Sequence, residues 1–313
     1  MPRPTSDEKV LAALAHLSIL LSFFGPIGST LIWITQRGKS KYVRFHALQA
    51  MGYQVFSFWA FFIGIFVIAF GSIPLIFLIE FLAPQNGELP VSPFLIQPLI
   101  FVGMFGLMGS IFLYGFIGAV FCMLDRNFSY LIIGSWLKKK LFREDVTEEE
   151  FVEHENNWVS GICHATTILR FVGMLTPLIV WFSQREQSAK IRFQALQAVI
   201  YQLIAIVAGI LSYVVGAVFY FLFLASLLFT GVSGGFSSPE TEMTGPFAIF
   251  FISFLVLMMF LGLASLIVVP IYYLLSIIAS ISTIRGRDFR YPILGRVIAN
   301  RLAISSRKEM VQP

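Results

Sequence analysis

Charged residues are scarce in this chain of 313 residues, because Asp, Glu, Lys and Arg together make up only 12% of it. A soluble domain carries roughly a quarter of such residues. Hydrophobic residues make up 57% of the chain and include 34 Phe. Their apolar area is larger than a water-soluble protein with so few charged residues could keep away from water. This composition excludes an ordinary soluble enzyme and a disordered chain. It indicates an integral membrane protein.

Cysteine and histidine are also rare, with two and four residues respectively. Neither His16 nor His164 has a Cys, Asp or Glu at the spacing of a metal motif, and no His-Glu-x-x-His occurs. No nucleophile, base and acid can be assembled from the sequence. We therefore expect no metal, no cofactor and no catalytic residues, and we expect that the protein is not an enzyme.

The net charge of +5 comes from basic residues that are unevenly distributed. The segments 84–95 and 231–245 contain no Lys or Arg, whereas the other connections are basic. Basic segments stay in the cytoplasm during membrane insertion. We therefore expect both termini to be cytoplasmic, in a bacterial inner membrane. No basic run is interleaved with aromatics, so we expect no nucleic-acid partner.

The second half of the chain repeats the first, at an offset of 148 residues over residues 16–54 and at an offset of 161 residues near the end of each repeat, where Tyr130 corresponds to Tyr291. Over residues 16–54 roughly 16 of 39 positions are identical, a level expected of a true duplication. The shared residues include His16 and His164, Trp33 and Trp181, Arg44 and Arg192, and the segments 47–50 and 195–198. We divide the chain into a first membrane repeat (1–143), an acidic cytoplasmic linker helix (144–158) and a second membrane repeat with a basic amphipathic tail (159–313).

Six apolar stretches raise a problem of parity. They lie at about 10–35, 47–83, 96–124, 162–183, 195–230 and 246–284. If all six crossed the bilayer, the repeats would be inverted and the basic tail would lie outside. Gly25-Pro26 interrupts the first stretch, and Arg170 and Pro177 interrupt the fourth. We therefore predict an all-α polytopic protein with four long transmembrane helices and two re-entrant or kinked segments. The alternative is six full spans with inverted repeats.

Polar residues recur at matching places at the start of the second stretch of each repeat. The functional interpretation is a polar pair that lines a central cavity, and the structural one is hydrogen bonding between helices. Arg44 and Arg192 are expected to be equivalent anchors near the cytoplasmic interface. The structural or cavity-lining candidates are Arg44, Gln49, Tyr53, Gln54, Arg192, Gln197, Tyr201, Gln202, His16 and His164.

Several of these residues form a pattern that resembles a known family. The pattern comprises His16, Gly25-Pro26, Trp33 with Gln36-Arg37, Arg44-x2-Ala47-Leu-x-Ala50, and Gly286–Pro292. It resembles a widespread bacterial family of small membrane domains that is distantly similar to the membrane component of the chloroplast inner-envelope import translocon. The first half departs from the pattern, with Leu131 where the second half has Pro292. The resemblance implies a membrane location and no particular activity.

Two functions fit these observations. The first is a non-enzymatic accessory or scaffolding subunit of a larger membrane complex, which contacts anionic lipid headgroups and either other membrane subunits or copies of itself. The alternative is a protein- or solute-conducting element, which the translocon resemblance suggests.

Overall fold

The computed structural model describes residues 3–82, 93–141, 143, 145–234 and 246–311. This part of the chain folds into helices joined by turns, with no strand. The first repeat contains α1 (Ser6–Leu17), α2 (Gly25–Gln36), α3 (Lys41–Leu82), α4 (Pro93–Met123) and α5 (Ile133–Leu141). The second contains α6 (Glu148–Ala165), α7 (Arg170–Gly173), α8 (Leu175–Gln184), α9 (Ala189–Gly234), α10 (Pro246–Ile284) and α11 (Leu294–Val311).

Four helices are much longer than a bilayer requires. The longest, α3 and α9, have 42 and 46 residues, which is about 60–70 Å at 1.5 Å per residue, against a hydrocarbon core of about 30 Å. Five segments of the described chain are long and apolar enough to cross a membrane, and one of them, Ser6–Gln36, combines α1, α2 and the turn between them. The helical polytopic fold predicted from the sequence is confirmed.

The segment Ser6–Gln36 folds back on itself. Its two helices of 12 residues are each about 18 Å long. The backbone turns at Ser22, where φ is 53°, and the equivalent Arg170 has a φ of 52°. The Ser40 hydroxyl donates to the Glu8 carboxylate at 2.5 Å, so the start of α1 lies beside the residue that follows α2. This is the re-entrant hairpin that the sequence favours.

The two repeats run in the same direction because α6 lies parallel to a long helix of each. Against α3, Arg44 contacts Glu155 near the start of α6, and Trp59 donates to the Ala165 carbonyl at its end. Against α9, Gln202 donates to the Cys163 carbonyl. Helices α4 and α10 end beside the first residues of α3 and α9, as the contacts of Cys122 with His46 and of Gly286 with Lys190 show. The basic segments therefore gather at one end of the molecule, which we call the basic end.

Helix α6 begins where its sequence predicts. The Thr147 hydroxyl accepts from the backbone N–H of Glu150, and the Glu150 carboxylate accepts from the backbone of Thr147, which is a capping box. The helix then continues without a break through residue 158 to Ala165. Residues 148–158 of the segment interpreted as an acidic linker helix are thus the beginning of α6, the first helix of the second repeat. Its residue Glu155 is fully buried.

The packed core lies at the basic end, whereas the rest of the long helices expose large apolar side chains. Phe66, Phe70, Leu211 and Ile267 are all more than half exposed. Exposed apolar area of this extent is unfavourable in water and suits contact with lipid. The protein therefore combines a tightly packed basic end with two apolar helical hairpins.

Parallel repeats predict which residues an impermeant reagent can reach. In a Cys122→Ser/Cys163→Ser background, we expect cysteines at exposed Gln187 and Asp288 to resist an impermeant maleimide in intact cells and to react after lysis. Cysteines at Ser92 and Ser237, in the two segments without basic residues, should react in intact cells. Labelling of Gln187→Cys from outside would support six spans with inverted repeats instead.

Candidate functional site

A single buried carboxylate joins the two repeats. The Glu155 carboxylate accepts two hydrogen bonds from Arg44, each of 2.9 Å, one from Arg37 Nε at 3.1 Å and one from Trp33 Nε1 at 2.8 Å. Glu155 lies on α6, and its three partners lie in the first repeat, with Trp33 on α2, Arg44 on α3 and Arg37 directly after the end of α2. Four donors of this kind compensate for the desolvation of a buried charge. We call this group the Glu155 clamp.

Arg37 extends the Glu155 clamp to the second repeat. Its guanidinium also donates to Asn156 Oδ1 at 2.7 Å and to Gln184 Oε1, which lies at the end of α8. It stacks over Trp33 with the guanidinium carbon 5.2 Å from the ring centroid. The clamp therefore connects α2, α3, α6 and α8 through groups that are all charged or fully hydrogen-bonded.

The second repeat has the same donors, but among the described residues they hold no buried carboxylate, and Arg185 meets only the exposed Glu186 at 3.9 Å. Trp181, Arg185 and Arg192 stand at the positions of Trp33, Arg37 and Arg44, and Arg185 stacks over Trp181 at 5.0 Å. Trp181 Nε1 and Arg192 Nε are buried without a hydrogen-bond partner among the described residues. The two arginines that the sequence suggested as equivalent anchors thus have different surroundings.

Each repeat contains the same network of His, Tyr and Gln side chains. In the first, His16 Nδ1 pairs with the Tyr130 hydroxyl at 2.9 Å, and Gln49 Oε1 accepts from the Tyr130 backbone N–H at 3.2 Å. Tyr53 stacks on Tyr130 with the ring centroids 3.9 Å apart. These contacts fix the segment after α4 against α1 and α3.

The second repeat reproduces that network with nearly the same distances. His164 Nδ1 pairs with the Tyr291 hydroxyl at 3.1 Å, and Gln197 Oε1 accepts from the Tyr291 backbone N–H at 3.2 Å. Tyr201 stacks on Tyr291 at 3.9 Å. Burial lowers the pKa of His164 to about 4, so its ring is neutral near pH 7.

Gln54 and Gln202 hold the points at which α1 and α6 end. Gln54 Nε2 donates to the Ala15 carbonyl at 3.0 Å and to Ser18 Oγ at 2.9 Å, and Gln202 makes the equivalent bonds at 3.3 Å. The two amides therefore form hydrogen bonds between helices. This agrees with the structural interpretation of the polar pattern, in which these residues join helices. Among the candidates, Tyr201 also borders a cavity of about 540 Å³ between α9 and α10.

The structure brings together a group of metal-binding side chains that sequence spacing did not reveal. His16 Nε2 lies 3.0 Å from His46 Nδ1, and the Cys122 thiol lies 3.3 Å from the same nitrogen. The three ligand atoms are all within 4.8 Å of one another. The residues come from α1, α3 and α4, so only the fold places them side by side. The duplication offered one signal, because the second repeat has Gln194 where the first has His46.

Glu155 was also missed, although its sequence context carried a signal. Phe151, Trp158 and Ile162 stand at helical spacing around it and are all buried. An acid four residues after Phe151 lies on the same face of a helix as these three. A buried acid requires a partner, and the fold supplies it from Arg44 and Arg37.

These features define an all-helical membrane protein built from two repeats around a buried ion pair. A family model described as the magnetosome magnetite crystal formation protein family matches residues 7–137 and 155–298. The chain belongs to this family, and the two matched segments confirm the repeated membrane domain. No curated protein and no solved structure matches the chain. The similarity to the chloroplast translocon stays a prediction.

The Glu155 clamp predicts unequal effects for the two equivalent arginines. Arg44→Ala removes two of the four donors to a fully buried carboxylate, and breaking a buried pair in this way costs about 3–5 kcal/mol. We expect a large fall in the midpoint of thermal unfolding in detergent. Arg192→Ala, the matched control, should lower it far less because the Arg192 guanidinium holds no carboxylate among the described residues. Equal losses would contradict the asymmetry.

Proposed function

We propose that this protein is a non-enzymatic component of the magnetosome membrane that supports magnetite crystal formation by assembling head to tail with copies of itself. Two findings support the proposal. The first is the family to which the chain belongs. The second is an interface that forms once within the chain, between α6 and the first repeat, while the equivalent surfaces on α1 and on the second repeat have no partner among the described residues. The second finding carries the assembly.

The closed interface joins α6 to the first repeat. The Glu155 carboxylate accepts hydrogen bonds from the Trp33, Arg37 and Arg44 side chains. Trp158 packs against Gly52, and its indole nitrogen donates to the Leu48 carbonyl at 3.1 Å. The face of α6 that makes this contact is therefore partly ionic and partly apolar.

One open half of the same interface lies on α1, the helix equivalent to α6. Asp7 stands at the position of Glu155 and is exposed. Val10 and Leu14 stand at the positions of Trp158 and Ile162, and they are 42% and 47% exposed, whereas those two are buried. Helix α1 thus presents a carboxylate and two apolar side chains in the same register as the buried face of α6.

The other open half lies on the second repeat. Trp181 and Arg192 have buried nitrogens without partners among the described residues, and such groups cost about 1–3 kcal/mol each when left unpaired. Asp7 corresponds to Glu155, and Trp181 and Arg192 correspond to its partners. Asp7 of a second copy is therefore the carboxylate that would pair with these two side chains. Contacts of this kind are heterologous, and they generate a ring or an open filament.

Such assemblies would present a repeated protein surface in the membrane around a growing crystal. The apolar hairpins suit lipid, and Lys138–Lys140 near the end of α5 suit anionic headgroups at the basic end. The alternative function, conduction, has one observation in its favour, the cavity beside Arg170 and Tyr201. Its lining is largely aliphatic and aromatic, which fits hydrocarbon better than a polar solute.

A charge exchange tests the assembly. Asp7→Arg should reduce the wild-type oligomer to monomer in native mass spectrometry, since it sets a cation against Arg192. Arg192→Asp should do the same, and the two changes together should restore the oligomer. Arg287→Ala, an exposed arginine at the basic end, is the control and should leave the oligomer intact.

The same variants test the role in crystal formation. In cells that lack the native gene, the single charge variants should yield crystals of altered size or number in electron micrographs, and the double variant should restore them. If oligomers are lost while crystals stay normal, the assembly is not how the protein acts. If purified copies stay monomeric and conduct ions in planar bilayers, the conducting function is favoured.

A further inference from the structure

The environment of His46 contains more hydrogen-bond donors than it can satisfy. Gln49 Nε2 and His16 Nε2 each lie 3.0 Å from His46 Nδ1, and the Cys122 thiol lies at 3.3 Å. The Gln49 amide is fixed in this orientation because its oxygen accepts from the Tyr130 backbone. If His46 Nδ1 is unprotonated, its one lone pair faces the Gln49 N–H and also the His16 nitrogen and the thiol, each of which can donate, and if it is protonated, it faces the Gln49 N–H.

The second repeat satisfies the same position without these residues. Gln194 replaces His46, and its Oε1 accepts from His164 Nε2 at 3.0 Å and from Gln197 Nε2 at 3.2 Å. An amide oxygen has two lone pairs, so both donors are paired. Thr283 stands where the first repeat has Cys122. The fold therefore requires neither a second histidine nor a thiol, and the first repeat has both.

We propose that His16 Nε2, His46 Nδ1 and Cys122 Sγ bind one thiophilic transition-metal ion, Zn²⁺ or Cu⁺. Binding releases the thiol proton and uses the unprotonated His16 Nε2 and His46 Nδ1, with the His16 ring proton on Nδ1 facing the Tyr130 hydroxyl and the His46 ring proton on Nε2. The Gln49 amide then donates to the Phe128 carbonyl, which lies 3.4 Å from its nitrogen. The site goes beyond the proposed assembly and does not depend on it.

The geometry requires only small movements. Metal–nitrogen bonds of about 2.0 Å and metal–sulfur bonds of about 2.3 Å place tetrahedral ligand atoms roughly 3.3–3.6 Å apart. The observed separations from His46 Nδ1 are 3.0 Å to His16 Nε2 and 3.3 Å to Cys122 Sγ. Shifts of a few tenths of an ångström bring these two pairs to tetrahedral spacing, and the third pair, His16 Nε2 and Cys122 Sγ, lies within 4.8 Å.

The surrounding groups complete the site as they do in known metal centres. A ligating histidine usually donates its other ring N–H to an oxygen, and His16 Nδ1 meets the Tyr130 hydroxyl at 2.9 Å. The buried Tyr42 hydroxyl lies beside Cys122 and has no hydrogen-bond partner of good geometry among the described residues. It can donate to a thiolate or become the fourth ligand.

The ligand atoms determine the class of metal. Imidazole and thiolate suit Zn²⁺ and copper, whereas the hard oxygen ligands that suit Mg²⁺, Ca²⁺ or Mn²⁺ are not part of the group. Two neutral imidazoles and one thiolate give no net charge with Cu⁺ and one positive charge with Zn²⁺.

The first experiment measures stoichiometry in the full chain, purified in detergent with a thiol reductant. The thiol reductant, which would itself bind Zn²⁺ and Cu⁺, is removed before separate samples are incubated without oxygen with Zn²⁺, with Cu⁺ and with Fe²⁺, and bound metal is measured by mass spectrometry after desalting. We expect one Zn²⁺ or one Cu⁺ per chain and much less Fe²⁺. Co²⁺ as a probe should give the charge-transfer band of a cobalt–thiolate bond. No retained metal, or Fe²⁺ retained as well as Zn²⁺, would overturn the proposal.

The second repeat suggests substitutions that should not disturb folding, because the same fold already contains these residues at the equivalent positions. His46→Gln with Cys122→Thr gives the first repeat the residues of the second, so it should keep the unfolding midpoint of the metal-free protein and lose the ion. Cys163→Ser, which removes the other buried thiol, is the control and should retain it. Gln194→His with Thr283→Cys should raise the stoichiometry from one to two. Retention of the ion and the cobalt band by the first double variant would refute the assignment.

Discussion

The architecture depends on one buried ion pair, in which Glu155 of the second repeat is held by Arg44, Arg37 and Trp33 of the first. A carboxylate removed from water is tolerated only where its donors are in place. The position of α6 between the repeats, and through it the shared direction of the two hairpins, is therefore fixed by a polar constraint. Apolar packing around Trp158 then closes the contact.

Duplication has preserved the framework of each repeat and allowed its buried polar groups to diverge. The Tyr130 and Tyr291 networks agree within a few tenths of an ångström. Beside them, His46 and Cys122 in one repeat correspond to Gln194 and Thr283 in the other. Because the two repeats have the same backbone fold, each serves as a reference for the other. A residue that differs between them is therefore one whose identity the fold does not require.

The two ends of the molecule face different physical demands. At the basic end, buried side chains such as Gln54, Thr30 and Ser276 donate to backbone carbonyls, which suits short helices that begin and end there. Along the hairpins, the exposed side chains are mainly apolar, and the backbone is satisfied within each helix, as a bilayer requires. The division explains why nearly all the polar candidates lie within the first turns of the long helices.

Much of this protein was determined by the sequence itself. Composition fixed the membrane class, the offset of 148 residues fixed the repeat, and Gly25-Pro26 and Arg170 indicated the folded-back segments, because these signals are local or periodic. The tertiary structure alone decided that Glu155 is a buried hub, that Arg44 and Arg192 differ, and that His16, His46 and Cys122 meet. These contacts join residues 30 to 122 positions apart, and a separation of that kind leaves no pattern in sequence spacing because only helix packing brings the residues together.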